Sequence, residues 1–277
     1  MRKHDNKKGL SKKNNTIRKI NTDKSKSFSD EIDIIEGRNP VTEVLKSKKP
    51  INKIMVSKGE KDGSIRRIIA MAKEKGVVIQ EVDRKILDKM SHTYSHQGVI
   101  AHTSAKEYVD VDEILKFADK KKEQPFLILL DEIKDPNNLG AIIRTAEAVG
   151  VHGIIIPKRR AAGITTTVSK VSAGALEHVL VSRVNNLRQT IDYLKKKNIW
   201  IIGTEDSAKK SYRDSDLKCA VGIVIGSEGY GISKKIKEEC DYTIKIPMKG
   251  KISSLNASVS AAIIMYEVMY QRENEIK

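Results

Sequence analysis

At 277 residues the chain exceeds the usual size of a single domain, and with only 4% aromatic residues its cores must be filled by aliphatic side chains. A formal net charge of +16 favours a polyanionic partner through release of condensed counterions, and leaves RNA, DNA and an acidic membrane surface open. No segment has the run of roughly eighteen apolar residues that a membrane span needs, and the amino-terminal stretch lacks the apolar centre of a secretory signal; a cytoplasmic protein with no membrane partner is expected.

Residues 1–30 carry ten Lys or Arg against three Asp and almost no large apolar side chains, which predicts a disordered basic tail over 1–31. A compact α/β unit follows over 32–105, with helices predicted at 39–45, at 64–72 and near Ile86, and strands at 51–56, 77–82 and 98–101. Residues 106–124 are helical and then sharply charged, through Lys120, Lys121 and Lys122 before Pro125, and read as a linker.

A second domain is predicted over 125–272. Strands are expected at 126–130, 153–156, 178–181, 200–203, 220–225 and 242–246, and helices at 138–149, 166–175 and 187–197 and near Ser233. Such alternation implies an α/β fold whose mostly parallel sheet is covered on both faces. The last helix carries Leu255, Val259, Ala262, Ile263, Tyr266 and Met269 on one stripe and Ala257, Ala261, Ile264, Met265 and Val268 opposite. A helix apolar on nearly all sides requires burial, part of it against a second subunit. Cys219 and Cys240 lack Cys-x-x-Cys spacing and read as buried free thiols, and His92, His96 and His102 have strand or loop spacing, so no metal site is expected.

Three segments of the second domain carry the chemistry. The first is D-P-N-N-L-G-A-I-I-R-T-A, residues 135–146, where Asp-Pro marks a turn and the Asn pair caps a helix. Arg144 projects away from the core stripe on the side of Gly140, whose missing side chain leaves space for something to approach. A guanidinium there can fork onto a phosphate, although a solvated surface arginine is the ordinary reading of this helix alone.

The second segment, G-S-E-G-Y-G at 226–231, follows a strand and precedes a helix, the place where open α/β sheets gather ligands. Its spacing is not the dinucleotide fingerprint, and Glu228 would repel a pyrophosphate, so a nucleotide-binding oxidoreductase is disfavoured. The third segment, I-P-M-K-G-K-I-S-S-L-N-A-S at 246–258, breaks at Pro247 and leads Ser253, Ser254 and Asn256 to a helix start. Those groups can cap the helix or hold a polar ligand beside its free N–H groups.

The ordered set N-N-L-G-x-x-x-R-T, V-I-G-S-E-G-Y-G-I and I-P-M-x-G-x-x-S-S-L-N-A-S resembles the three signature motifs of the SpoU (TrmH) family of RNA ribose 2′-O-methyltransferases. I-E-G-R-N-P-V at 35–41 and H-Q-G-V-I-A at 96–101 are similar to the family's L30e-like substrate-binding domain. V-S-K-V-S-A-G-A-L-E at 168–177 and R-V-N-N-L at 183–187 resemble the RlmB subgroup, which modifies a guanosine of large-subunit (23S) ribosomal RNA.

The resemblance implies a SPOUT fold with a deep carboxyl-terminal trefoil knot that binds S-adenosylmethionine, and a homodimer packed near the knot. It places cofactor contacts on the backbone of Gly226, Ile246 and Leu255, with Thr204 and Gly203 after the Trp200 strand. It places RNA and catalytic roles on Asn138, Arg144, Glu228, Ser254 and Asn256. A guanidinium is a poor base at neutral pH, so Arg144 is expected to bind phosphate and stabilise a developing alkoxide, with Glu228 or a water taking the proton. The alternatives are a 2′-O-methyltransferase acting on transfer RNA or another ribosomal site, and a non-catalytic RNA-binding protein of ribosome assembly.

Overall fold

The computed structural model describes residues 34–59, 62–252 and 254–274. The basic tail expected over 1–31 lies outside them. The first domain is built on a four-stranded sheet of β1 (Ile34–Glu36), β2 (Ile51–Ser57), β3 (Val78–Val82) and β4 (Val99–Thr103), in the order β1-β4-β2-β3. β4 runs antiparallel to both β1 and β2, and β3 lies parallel to β2. Helices α1 (Arg38–Lys46) and α2 (Gly63–Glu74) bury Val41, Leu45 and Ile68 against one face. Helix α3 (Arg84–Met90) places Leu87 against Met55 and Ile100 on the other. The three expected helices and the strands at β2 to β4 are present; β1, only three residues long, went unpredicted.

The second sheet has seven strands, all paired in parallel, in the order β7-β6-β5-β10-β8-β11-β9. They are β5 (Phe126–Leu130), β6 (Gly153–Pro157), β7 (Leu180–Val184), β8 (Trp200–Thr204), β9 (Lys210–Ser211), β10 (Val221–Ile225) and β11 (Tyr242–Lys245). The central strands are apolar along their whole length because both faces are covered. One face packs on α5 (Pro136–Ala148), α6 (Thr166–Val171) and α9 (Ala257–Glu273). The other packs on α4 (Val111–Lys121), α7 (Leu187–Lys196) and the short α8 (Lys234–Lys237).

Three expectations need correction. The stretch 106–124, read as a linker, is mostly α4, whose Ile114 is fully buried and packs where a Cβ at Gly153 would fall 2.5 Å from its side chain. The sequence shows this helix's charged face more loudly than its two buried residues, Ile114 and Ala118. The helix expected over 166–175 stops at Val171, because Ala173 and Gly174 take positive φ and a 3-10 turn, Ala175–Glu177, follows. That turn in turn shifts the next strand from 178–181 to Leu180–Val184.

A buried polar joint ties the two sheets together. Asn52 sits at a register shift in β2 and donates Nδ2 to the carbonyls of Thr103 (3.0 Å) and Ile164 (2.9 Å). The Tyr108 hydroxyl donates to Asn52 Oδ1 at 2.6 Å and accepts from Ile164 N at 2.8 Å. Arg183, beyond the middle of β7, spans the seam by donating to Asn52 O (2.7 Å) and Lys158 O (3.0 Å). Every group of this joint would cost about 1–3 kcal/mol if buried without its partner, so the two domains hold a defined contact.

His102, in β4, lies under the same seam. Burial, reinforced by the Lys53 ammonium, pushes its imidazole down to about 4 from the ordinary 6.5. The folded chain keeps His102 neutral where the unfolded chain would protonate it. This stabilisation is complete above about pH 6.5 and is lost as the pH falls toward 4, amounting to about 3 kcal/mol over the full window. We expect His102→Leu to flatten the pH dependence of urea unfolding between pH 7 and pH 4.5; a slope equal to that of the unmodified chain would refute this origin for it.

Candidate active site

At the carboxyl ends of β8, β10 and β11 the chain leaves the sheet in three loops, and they enclose a cavity of about 240 Å³. The loop after β10 is the tightest. Ser227 and Gly231 exchange two backbone hydrogen bonds, at 3.0 and 2.9 Å, and Gly229 and Gly231 turn through φ of +80° and +64°. Gly226 has no room for a side chain: a Cβ there would fall 2.0 Å from the Gly231 carbonyl carbon and 2.2 Å from Ile232 N, both backbone atoms. The loop is therefore bare main chain on the side where it folds over the sheet edge, and Asp131 Oδ2 fixes its far end by accepting from Ser233 N at 2.7 Å.

The segment after β11 returns across the cavity and enters α9. Asn256 is the N-cap of that helix, its Oδ1 accepting from Ser258 N (2.9 Å) and Val259 N (3.3 Å). Its Nδ2 reaches in the other direction, donating to Asn138 Oδ1 at 3.0 Å and to Glu228 Oε1. Asn138, buried in the first turns of α5, donates its own Nδ2 to the same Glu228 oxygen at 2.9 Å. One residue from each of the three segments thus meets at a single carboxylate oxygen. Helix capping and site building are both served by Asn256.

The other expected residues divide. Thr204, Gly226, Glu228, Ile246, Ser254 and Leu255 line the cavity. The Thr204 hydroxyl is bonded to Val224 O at 3.0 Å, so it braces β8 on β10. Gly203 is buried within β8 and a Cβ there would press on Cys240 Sγ at 3.0 Å and Ile232 at 3.1 Å; its place is in the packing behind the wall. Arg144 is exposed in the middle of α5 and, among the described residues, makes no hydrogen bond or ion pair with the other four expected catalytic residues. The space read beside Gly140 is not open to a ligand: a Cβ there would meet Val171 at 2.7 Å, so the glycine admits α6.

Glu205 and Asp206, which also line the cavity, escaped the sequence reading. Their signal was their place, immediately after β8 and directly beside Thr204. Glu205 is held by its backbone N–H to Ile244 O (2.9 Å) and by Lys237 Nζ at 3.3 Å. The cysteines are free and half-buried rather than fully buried, with burial pushing the Cys240 thiol up to about 12, which leaves it inert at neutral pH. His96 is buried and bridges Asp88 (2.8 Å) and Gly98 N (3.0 Å), a structural role inside the H-Q-G turn.

A parallel α/β domain with a glycine-built pocket at its carboxyl edge, joined to a smaller α/β domain, belongs to the class of open-sheet proteins that gather ligands at that edge. The comparisons make it specific. Residues 125–266 match the SpoU rRNA methylase family, and residues 34–109 match the RNA 2′-O ribose methyltransferase substrate-binding domain. A Bacillus subtilis protein assigned to the TrmH family of tRNA/rRNA methyltransferases, YacO, is 48% identical over 90% of this chain and 99% of its own length. A Staphylococcus aureus relative with the same family assignment is 45% identical over 87% of this chain and 97% of its own. Among solved structures, the SpoU methyltransferase AviRb of Streptomyces viridochromogenes in complex with AdoMet superposes with a TM-score of 0.55 at 26% identity, covering 87% of this chain and 90% of that one. The TrmH/SpoU tRNA-modifying enzyme of A. aeolicus gives 0.51 at 30% identity over 59% of this chain and 84% of that one. The chain belongs to the SpoU/TrmH family of RNA methyltransferases.

Gly226 provides a direct check on the loop. Gly226→Ala is expected to destabilise the chain by about 1–3 kcal/mol, because backbone rather than a flexible side chain must move. Gly63→Ala, where a Cβ meets nothing within 4 Å, is expected to stay within about 0.5 kcal/mol. Equal melting temperatures for the two variants would show that the loop does not close as described.

Proposed function

We propose that the chain methylates a ribose 2′-hydroxyl of RNA with S-adenosylmethionine, and that the acceptor is a guanosine of large-subunit (23S) ribosomal RNA, in the cytoplasm. The observation that carries the reading is the meeting of Asn138, Glu228 and Asn256 beside the cavity, with Arg144 left uncommitted on the helix that supplies Asn138. The relatives' assignment spans tRNA and rRNA, and the ribosomal guanosine rests on the RlmB-like segments at 168–177 and 183–187.

The cavity's donor set suits this cofactor. The carboxylates of Glu205 and Asp206 offer acceptors for hydroxyl and cationic groups, and the Gly226 loop and the Leu255 turn offer bare backbone. Gly226, Ile246, Leu255 and Thr204 would hold it, with Gly203 fixing the strand behind them. When bound, it supplies a methyl group already activated on a sulfonium. The protein's task is then to orient the ribose oxygen and handle its proton; alignment alone contributes on the order of 7–11 kcal/mol.

Asn138 and Asn256 hold the Glu228 carboxylate in place through Oε1. The remaining oxygen, Oε2, can accept the hydroxyl proton directly or through a water. Arg144 supplies a fixed positive charge for the neighbouring phosphate and the developing alkoxide, and Ser254, exposed at the cavity wall, orients the ribose.

The same reading makes residues 32–105 the L30e-like RNA-binding domain and residues 125–272 the knotted SPOUT domain, acting as a homodimer. α9 supports the dimer. Its Ala257, Ala261, Ile264, Met265 and Val268 stripe is buried on α5 and the sheet, while Val259, Tyr266 and Tyr270 on the other side remain 45%, 48% and 62% exposed. An apolar strip of this kind on a long helix fits a second copy of the chain.

Arg144→Ala is expected to lower ribose methylation of ribosomal RNA at least about 100-fold while calorimetric affinity for S-adenosylmethionine stays unchanged. Methylation at the unmodified rate would contradict its role, and loss of both activities would make it structural. Mass mapping of ribose methylation in RNA from a deletion strain should show one missing 23S guanosine; a missing tRNA methyl group would move the target to tRNA.

A further inference from the structure

Between the two domains lies a cleft of about 660 Å³, separate from the cavity at the carboxyl edge of the sheet. The first domain contributes β2, β3 and His102; the second contributes the turn before α5 and the loop after β6. Six cations line it: Lys53, Lys134, Lys158, Arg159, Arg160 and Arg183. Among the described residues no Asp or Glu does. Glu132 pairs with Lys134 (3.3 Å) and Arg160 (3.2 Å) and offsets one of these charges.

Several of the groups are crowded in ways that an anion would relieve. Lys53 is half-buried, and its desolvation together with the neighbouring Arg183 holds the ammonium below the ordinary lysine value. His102 Nε2 and Arg183 Nε are buried without a hydrogen-bond partner among the described residues. Lys158 reaches across to Gly76 O of the first domain at 3.4 Å, and Arg159 stands exposed beside it. The cleft also borders Pro136, two residues before Asn138 on α5, so whatever occupies it runs toward the pocket's own helix.

We propose that this inter-domain cleft grips the sugar-phosphate backbone of the RNA substrate beside the nucleotide presented at the Glu228 pocket. The proposal rests on the RNA-methyltransferase reading and adds where the RNA lies. Six cations, five from the second domain and Lys53 from the first, match a chain of phosphates better than a single anion. Because the walls belong to different domains, a bound backbone presses them together across the Asn52–Arg183 joint. Phosphate contacts fix register and carry no sequence information, so this grip positions the acceptor and leaves its choice to other contacts.

The test uses the full chain and an in vitro transcript of 23S ribosomal RNA, with affinity read by filter binding between about 50 and 300 mM KCl. Arg159→Ala/Arg160→Ala removes two exposed cations and leaves the buried joint intact. Its expected effects are roughly tenfold weaker binding near 100 mM salt and a log–log salt slope smaller by about 1.4, at about 0.7 per lost contact. Lys196→Ala/Lys197→Ala, at the far end of α7, removes the same net charge outside the cleft and is expected to stay within twofold of the unmodified chain. Equal weakening by both variants, or an unchanged slope in the first, would overturn the proposal. Affinity for S-adenosylmethionine, measured alongside, should be the same in all three proteins. The binding comparison decides the cleft whether or not this transcript is methylated, so failure of the activity and failure of the cleft are separately visible.

Discussion

Glu228 Oε1 accepts hydrogen bonds from the side-chain amides of Asn138 and Asn256, residues 90 and 28 positions away along the chain. Each asparagine is anchored independently, Asn138 by its burial in α5 and Asn256 by capping α9. The carboxylate can be held this way only if β10 delivers its loop between the starts of the two helices. That in turn needs β10 seated between β5 and β8, with β11 on the far side of β8. The strand order, the bare Gly226 turn and the two helix starts are therefore one requirement, and the cavity is what they enclose.

The first domain is fixed by a different kind of contact. Asn52, Tyr108, Ile164 and Arg183 are linked by buried hydrogen bonds at the seam, which leave Arg183 Nε without a partner among the described residues, so the domains meet at a specific place. The same seam leaves a basic cleft open at its edge. Joint and cleft share residues of the same strands: Asn52 and Arg183 belong to both, and Lys53 lines the cleft beside them.

Much of this was legible in the sequence, and the exceptions have physical reasons. Strands such as β5 and β10, apolar along five residues and bounded by turns, announce themselves, as do the helices with a buried stripe. β1 and β9, of three and two residues, are edge strands defined by their pairing with β4 and β11, so no periodicity could mark them. The helical character of α4 was legible, but its packing on the second sheet was not, because its buried side chains are few and its lysines many. The motifs pointed to segments that line the cavity or lie beside it, but the pairing of Asn138 with Asn256 on Glu228 is a long-range fact that no spacing encodes. Gly140 shows the opposite error. The space read beside that glycine is filled by Val171 of α6.

The pocket depends on the Asn138–Glu228–Asn256 joint acting as a unit, and a double-mutant cycle measures that directly. Asn138→Ala, Asn256→Ala and the double variant would be titrated with S-adenosylmethionine by calorimetry. If the joint holds the pocket together, the second substitution costs much less in the background of the first, with a coupling of about 0.5–1 kcal/mol. Losses that add to within about 0.3 kcal/mol would show that the two asparagines act separately and would contradict the account.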